Sequence, residues 1–289
     1  MAQDNQELKS GFSKAKKITA DFAKTFYFAS LFLPIEKQNA AYAVYAICRL
    51  SDEAVDTQTN TGALENMQKN IDQAYAGCLL QKPADPLLLA FAEIVNKFAI
   101  PKEYFDELIK GMRMDLKKTR YADFDELYDY CYKAAGVVGL IMLKIFGYSD
   151  PEAQAYAIKL GIAMQLTNII RDIKEDWQKG RIYLPQTEMQ KFAITEDTLK
   201  KTTPTPDFIK LLKFQIKRSR QYYSDCTPGI AMLKDKNCRR VVLAMKEIYA
   251  AILNKVEKNS YNVLLKRAQV SKLDKIMIVS KILIKGNCS

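Results

Sequence analysis

Gln165-Leu-Thr-Asn168-Ile-Ile-Arg171-Asp172-Ile-Lys-Glu175-Asp176 lies inside a segment, Ala157 to Trp177, that holds no proline and a single glycine, Gly161. That length and composition predict a helix. On a helix, residues three and four apart stack on one face, so Gln165, Asn168, Asp172 and Asp176 form one polar stripe. Ile162, Ala163, Leu166, Ile169, Ile170 and Ile173 make most of the remaining circumference apolar. An ordinary surface helix has a broad solvated face, whereas this stripe is narrow and, upstream, rich in amides. Aspartates are poor helix formers, and two of them four apart repel each other. A positive group is expected between them, and a divalent cation is the economical candidate.

A second stripe points the same way. Glu36 to Asp56 also predicts a helix, with Tyr45, Arg49, Asp52 and Asp56 on one face between Ala41, Val44, Ile47, Cys48 and Val55. The plainer reading of either stripe alone is a solvated face, with Arg49 pairing Asp52 or Glu53. One Asp-x-x-x-Asp is a short pattern; two of them on apolar helices favour a shared site. Magnesium prefers oxygen ligands and usually keeps one or two carboxylates, with water and substrate phosphate completing its shell. Manganese is the alternative ion. Two facing acidic stripes would hold such ions around a docked diphosphate, with Asp52, Asp56, Asp172 and Asp176 as ligands and Asn168 as a neutral oxygen donor.

At these residues the chain resembles the squalene and phytoene synthase family of head-to-head prenyl synthases, with bacterial phytoene synthases the closest in appearance. The resemblance runs through Lys24-Thr-Phe-Tyr-Phe-Ala-Ser30, Ala43-Val-Tyr45-Ala-Ile-Cys-Arg49-Leu-Ser-Asp52-Glu-Ala-Val-Asp56 and Ala134-Ala-Gly136-Val-Val-Gly139. It continues through the run from Gln165 to Asp176 and through Gly180-Arg181-Ile-Tyr183-Leu-Pro185, so that order and spacing agree from about Lys24 to Arg267. Ala23 stands where many relatives have serine, and Glu53 where many have a second aspartate. Neither departure removes a charge from the expected metal-facing positions.

The resemblance implies an all-α terpenoid synthase fold, in which helices surround a deep apolar cavity. It implies that Lys24, Arg49, Arg171 and Arg267 contact diphosphate oxygens, which suits the distinct geometries of lysine and arginine. For Arg171 the plainer alternative is a surface helix charge; for Arg267 it is an exposed basic cluster with Lys266. Tyr45, Tyr130 and Tyr249 would donate to diphosphate or line the cavity, although a buried tyrosine is more often core; the resemblance favours Tyr45 and Tyr249. The implied reaction joins two prenyl diphosphates through a cyclopropyl diphosphate. Magnesium and cationic side chains would stabilise the charge that develops on the leaving group. Two geranylgeranyl diphosphates giving phytoene is the favoured outcome, in which Ser30 leaves room for a longer tail and Tyr42 fills some of it. Squalene or dehydrosqualene from two farnesyl diphosphates comes next, and only squalene would call for NADPH. A non-catalytic assembly factor of the same family is the alternative of a different class.

Composition narrows the field. In 289 residues, 48% are hydrophobic and 11 are glycine, with no linker or repeat dividing the chain, so one domain spanning 1–289 is expected. The charge of +11 favours anionic lipid or phosphorylated substrates, since no nucleic-acid motif is present. Six cysteines lie scattered and histidine is absent, which removes zinc sites and histidine-dependent hydrolases. No apolar run is long enough to cross a membrane and the N-terminus lacks a signal-peptide pattern, so a cytoplasmic protein is expected. A basic amphipathic tail over 271–289 is a candidate for peripheral contact with the inner face of a membrane, although packing on the core is the readier reading.

Along the chain, helices are expected over 5–20, 24–33, 36–56, 63–80, 86–98, 103–118, 123–146, 157–180, 206–225, 235–259 and 271–285. No convincing strand alternation occurs. Gly136 and Gly139 inside a helix predict close backbone packing or a substrate wall.

Overall fold

The computed structural model describes residues 2–56, 61–77 and 85–285, without the side chains of 2–5, 52, 54–56, 61 and 283–285. Every regular element in it is helical, and the only strand-like pairings among the described residues are two isolated bridges, Arg120 with Ile182 and Tyr148 with Leu233.

The first half of the chain builds one wall. Helix α1 (Ala2–Phe22) leads into α2 (Lys24–Ser30), α3 (Ile35–Asp56), α4 (Thr61–Tyr75) and α5 (Pro86–Lys97). Asp85 starts α5 by accepting from the Leu87 N–H at 2.9 Å, and Pro86 occupies the first turn, where no N–H is needed. The same Asp85 carboxylate takes the Lys14 ammonium at 2.7 Å, so one residue both caps α5 and ties it to α1. Gly11 lets the two helices cross closely: a Cβ there would lie 1.9 Å from the Pro86 carbonyl oxygen.

Helix α6 (Lys102–Lys117) is followed by α7 (Phe124–Cys131), a π-helical turn (Tyr132–Gly136) and α8 (Val137–Phe146). The sequence predicts one uninterrupted helix over 123–146. The structure instead widens it at Tyr132–Gly136, where the backbone meets the central helix α9 (Ala153–Gln178). A Cβ on Gly161 of α9 would come within 2.3 Å of the Ala135 oxygen, and one on Gly139 within 2.4 Å of the Ala157 oxygen. Close helix packing and a cavity wall are therefore the same feature, because Ala135, Gly139, Ala157 and Gly161 all border the central cavity.

The 26 residues of α9 would span about 39 Å at 1.5 Å per residue, enough to run through the whole core. Thr167, fully buried, offers Oγ1 to the Ala163 carbonyl at 2.8 Å and pairs with Ser219 and Tyr223 of α12 (Pro206–Asp225), which satisfies polar groups in an otherwise apolar seam. Between α9 and α12 the chain forms α10 (Gln186–Lys191) and α11 (Glu196–Lys200), and after α12 comes α13 (Thr227–Ala231). These three are too short to show a 3.6-residue period, and the sequence predicts no helix at their positions. Helix α14 (Lys236–Lys258) and the tail helix α15 (Lys272–Lys285) complete the far wall. The tail does pack on the core: Val279, 4% exposed, joins Ala244 and Ile248 of α14 and Phe28 of α2. No described helix is long and apolar enough to cross a membrane.

Candidate active site

A cavity of about 700 Å³ runs between α2, α3, α8, α9 and α14. Most of its wall is apolar, from Val138, Met142 and Phe146 on α8 through Leu160 and Met164 on α9 to Met245 on α14. One region is cationic: Lys24, Arg171, Arg267 and Lys275 all border the same space, with Tyr45 and Tyr249 beside them.

Arg171 and Arg267 meet on Asp172, which does not itself border the cavity. Arg171 binds it through Nε at 2.7 Å and Nη2 at 2.5 Å, and Arg267, 95 residues later, binds it through Nε at 2.7 Å and Nη2 at 2.9 Å. Glu175 stands 3.7 Å from Arg267 Nε, so the two guanidiniums and two carboxylates are close to neutral together, and Lys24 and Lys275 make this end of the cavity positive. Arg171 is no surface charge: only 17% of its side chain is exposed. Burial alone would lower its pKa, but the bonds and charge of Asp172 outweigh burial and raise it. Lys275 donates to Thr25 Oγ1 at 2.7 Å, and burial with the Arg171 charge lowers its pKa. Tyr249 is pushed up by burial and so stays a phenol.

Asp176, one turn further along α9, is in a different setting. Burial, then the charge of Asp172, push its carboxyl up to about 7, and Lys179 and Arg181 only partly offset them. Asn168 lies on the same stripe, with its Nδ2 3.4 Å from Gln165 Oε1 and its buried Oδ1 without a hydrogen-bond partner. The expected stripe of Gln165, Asn168, Asp172 and Asp176 is therefore present, and it presents an orphaned oxygen and two carboxylates. Among the described residues no three cysteine, aspartate or glutamate side chains gather as a metal cluster.

The first stripe is only partly described. The backbone of α3 reaches Asp56, but the side chains of Asp52 and Asp56, expected metal ligands, lie outside the described residues. Tyr45 borders the cavity with its ring 5.8 Å from that of Phe26, and the Arg49 guanidinium sits 4.7 Å over the ring of Phe22, a cavity-lining residue.

Tyr130 is buried, but away from the cavity wall. Its hydroxyl donates to Asp115 of α6 at 2.9 Å, and Tyr183 donates to the other Asp115 oxygen at 2.7 Å. The rings of Tyr130 and Tyr183 stack at 5.1 Å, with Tyr121 against both. Sequence reading missed Asp115 and Lys275. Both carried a signal: Asp115 follows Leu108 and Met112 on the buried face of α6, and Lys275 precedes Val279 on the buried face of α15.

Ser30 needs correction as a residue that leaves room for a longer tail, while Tyr42 does fill the space beside it. Neither borders the cavity; the Ser30 hydroxyl is 2.9 Å from Tyr42 Oη, and the Tyr42 ring stacks on Tyr27 at 5.6 Å. A small residue on α2 made space that a phenol from α3 fills, so the cavity is bounded elsewhere, by residues such as Phe146 and Leu233.

Comparison with known proteins adds the family. The squalene/phytoene synthase profile matches residues 19–274. The chain belongs to the squalene/phytoene synthase family. This family member is 38% identical over 283 residues to the chloroplastic phytoene synthase of an Oncidium hybrid cultivar, covering 94% of this chain and 67% of that protein. It is 36% identical to the chloroplastic phytoene synthase 1 of Arabidopsis thaliana, covering 93% of this chain and 65% of that one, so the chain spans about two thirds of the length of these relatives. A crystal structure of a dehydrosqualene synthase in complex with a ligand superposes with a TM-score of 0.91 at 29% identity, covering 99% of this chain and 100% of the other. This squalene/phytoene synthase thus has the isoprenoid synthase fold, all α around a central apolar cavity, and is a prenyl-group transferase of that type.

Proposed function

We propose that the protein joins two geranylgeranyl diphosphates head to head, through a cyclopropyl diphosphate, to give phytoene. The observation that carries this reading is the pairing, in one cavity of about 700 Å³, of long apolar walls with the Arg171–Asp172–Arg267 cluster. An isoprenoid tail matches the walls and a diphosphate matches the cationic end. Phytoene synthases at 38% and 36% identity favour the twenty-carbon substrate over the fifteen-carbon one, for which the dehydrosqualene synthase match at 29% speaks.

Ionising an allylic diphosphate in an apolar space needs the departing charge held in place. Arg171, Arg267, Lys24 and Lys275 would hold it, and the apolar walls would keep water from the carbocation until a proton leaves. The donor set fits a hard divalent cation: the orphaned Asn168 Oδ1 and the Asp176 carboxylate are oxygen ligands. Both Asp172 oxygens are held by Arg171 and Arg267, which would have to give way for Asp172 to join them. Magnesium, or manganese in its place, would be held there with Asp52 and Asp56, and would supply further positive charge to the leaving diphosphate.

The test is incubation with geranylgeranyl or farnesyl diphosphate, with and without magnesium and NADPH, followed by mass analysis of the hydrocarbons. Magnesium-dependent phytoene, indifferent to NADPH, is expected. Squalene formed only with NADPH, or dehydrosqualene from farnesyl diphosphate alone, would move the substrate to fifteen carbons. Neither binding nor turnover of any prenyl diphosphate would revive the assembly-factor alternative.

The tail supports peripheral contact with an anionic bilayer. Leu273, Ile276 and Met277 are 73%, 49% and 53% exposed along one stripe of α15, between exposed Lys272 and Lys281. Flotation with acidic vesicles should carry the intact chain and lose it after Leu273→Glu with Ile276→Glu; equal flotation of both would count against this contact.

A further inference from the structure

Asp115 lies on α6, and neither the metal stripe nor the cavity wall includes it. Its surroundings nevertheless impose a direction on a chain of hydrogen bonds. An ionised carboxylate only accepts, so Tyr130 and Tyr183 must both donate to it, at 2.9 and 2.7 Å. With its proton committed, the Tyr130 oxygen accepts from Gln165 Nε2 at 3.5 Å. That turns the Gln165 carbonyl oxygen toward Asn168, whose Nδ2 donates to it at 3.4 Å. What is left over is Asn168 Oδ1, buried and unpartnered on the face that carries Asp172 and Asp176.

We propose that Asp115 is a positioning residue which, through Tyr130 and Gln165, orients the Asn168 side-chain amide so that its oxygen, and not its NH2, is offered to a divalent cation. The inference rests on the metal site proposed above. It has a physical necessity behind it. Asp172 lies one turn along α9 from Asn168, but Arg171 and Arg267 occupy both its oxygens, so the Gln165 link is what keeps the Asn168 NH2 from facing the stripe. An NH2 turned that way would present two donor protons where a cation needs a lone pair. The two amide links are long and contribute little energy, so their effect is to choose between two orientations of one planar group. Burial raises the pKa of Tyr130 well above its ordinary value, which keeps its hydroxyl a donor. The Tyr183 ring stacked on it and the Tyr121 ring tilted against it hold it in place.

Mn2+ titration of the full chain in the presence of inorganic pyrophosphate, followed by electron paramagnetic resonance, tests this without turnover. Asp115→Asn can both donate and accept, so the direction is lost and Mn2+ affinity should fall by about tenfold or more. In the Asn168→Asp background both outward atoms are oxygens, and adding Asp115→Asn should change affinity less than about twofold, a non-additivity that a charge effect or a folding defect would not produce. Tyr130→Phe keeps the Asp115 charge but cuts the chain, and should repeat the same pattern even if Asp115→Asn does not fold. Equal losses in both backgrounds, or no loss with Tyr130→Phe, would overturn the inference. No Mn2+ binding by the unsubstituted protein would overturn the metal site itself, and the inference with it.

Discussion

Asp172 and Asp176 stand one turn apart on the same helix, yet they live in opposite electrostatic worlds. Asp172 is gripped by four N–H donors from Arg171 and Arg267 at the cationic end of the cavity. Asp176 sits beside Ile169, Ile173 and Tyr183, where burial and then the charge of Asp172 oppose its ionisation. Like residues at like spacing are thus made unlike by what the fold brings to them. In the proposed reaction the first would organise positive charge around a leaving group; the second is an anion disfavoured by burial that a cation would relieve.

Substitutions can break that contrast at either end. Asp172→Asn should have the largest effect, about a 10³-fold fall in kcat for diphosphate release at unchanged helicity, since it disperses two guanidiniums aimed at developing charge. Full activity by coupled diphosphate assay would refute the role given to this cluster. Arg267→Ala should cost less, about 10- to 100-fold, because Arg171 still holds Asp172 through both oxygens.

At the other end the expected effect is on stability and has the opposite sign. A carboxyl raised to about 7 contributes stability that is fully present below its unfolded value and lost as pH rises through about 7. Metal-free Asp176→Asn should therefore be more stable than the parent by about 1 to 2 kcal/mol at pH 8, with no gain at pH 4. Denaturant melts at the two pH values would show it, and a loss at pH 8 would mean that Asp176 is already paired. The smallest effect is the sharpest probe of coupling: in Asp172→Asn the Asp176 titration, followed by carboxyl NMR, should move below about 7, because one of the charges raising it is gone.

Local chemistry made much of this molecule legible. The apolar period of α3, α8 and α9 announces helices, and the amide-and-carboxylate stripe of α9 needs nothing beyond 3.6 residues per turn. The helix expected over 86–98 begins at Pro86 as predicted, and the run from Gln165 to Pro185 is specific enough to name the family. The short helices α10, α11 and α13 were illegible because five or six residues carry no period. The π-helical turn was illegible because it answers to the close approach of α9 rather than to its own residues. Ser30 misled because a small side chain does not say what fills the space beside it.

From the order of residues alone came the all-α architecture, the acidic stripe on the central helix and the family, since each depends on side chains within a turn or two of one another. Only the folded molecule could bring Arg267 across 95 residues to Asp172, close Tyr42 over Ser30, and set Asp115 beneath Tyr130 and Tyr183. Those pairings join separate helices, and their partners are chosen by which buried faces pack together, a choice that no local period encodes.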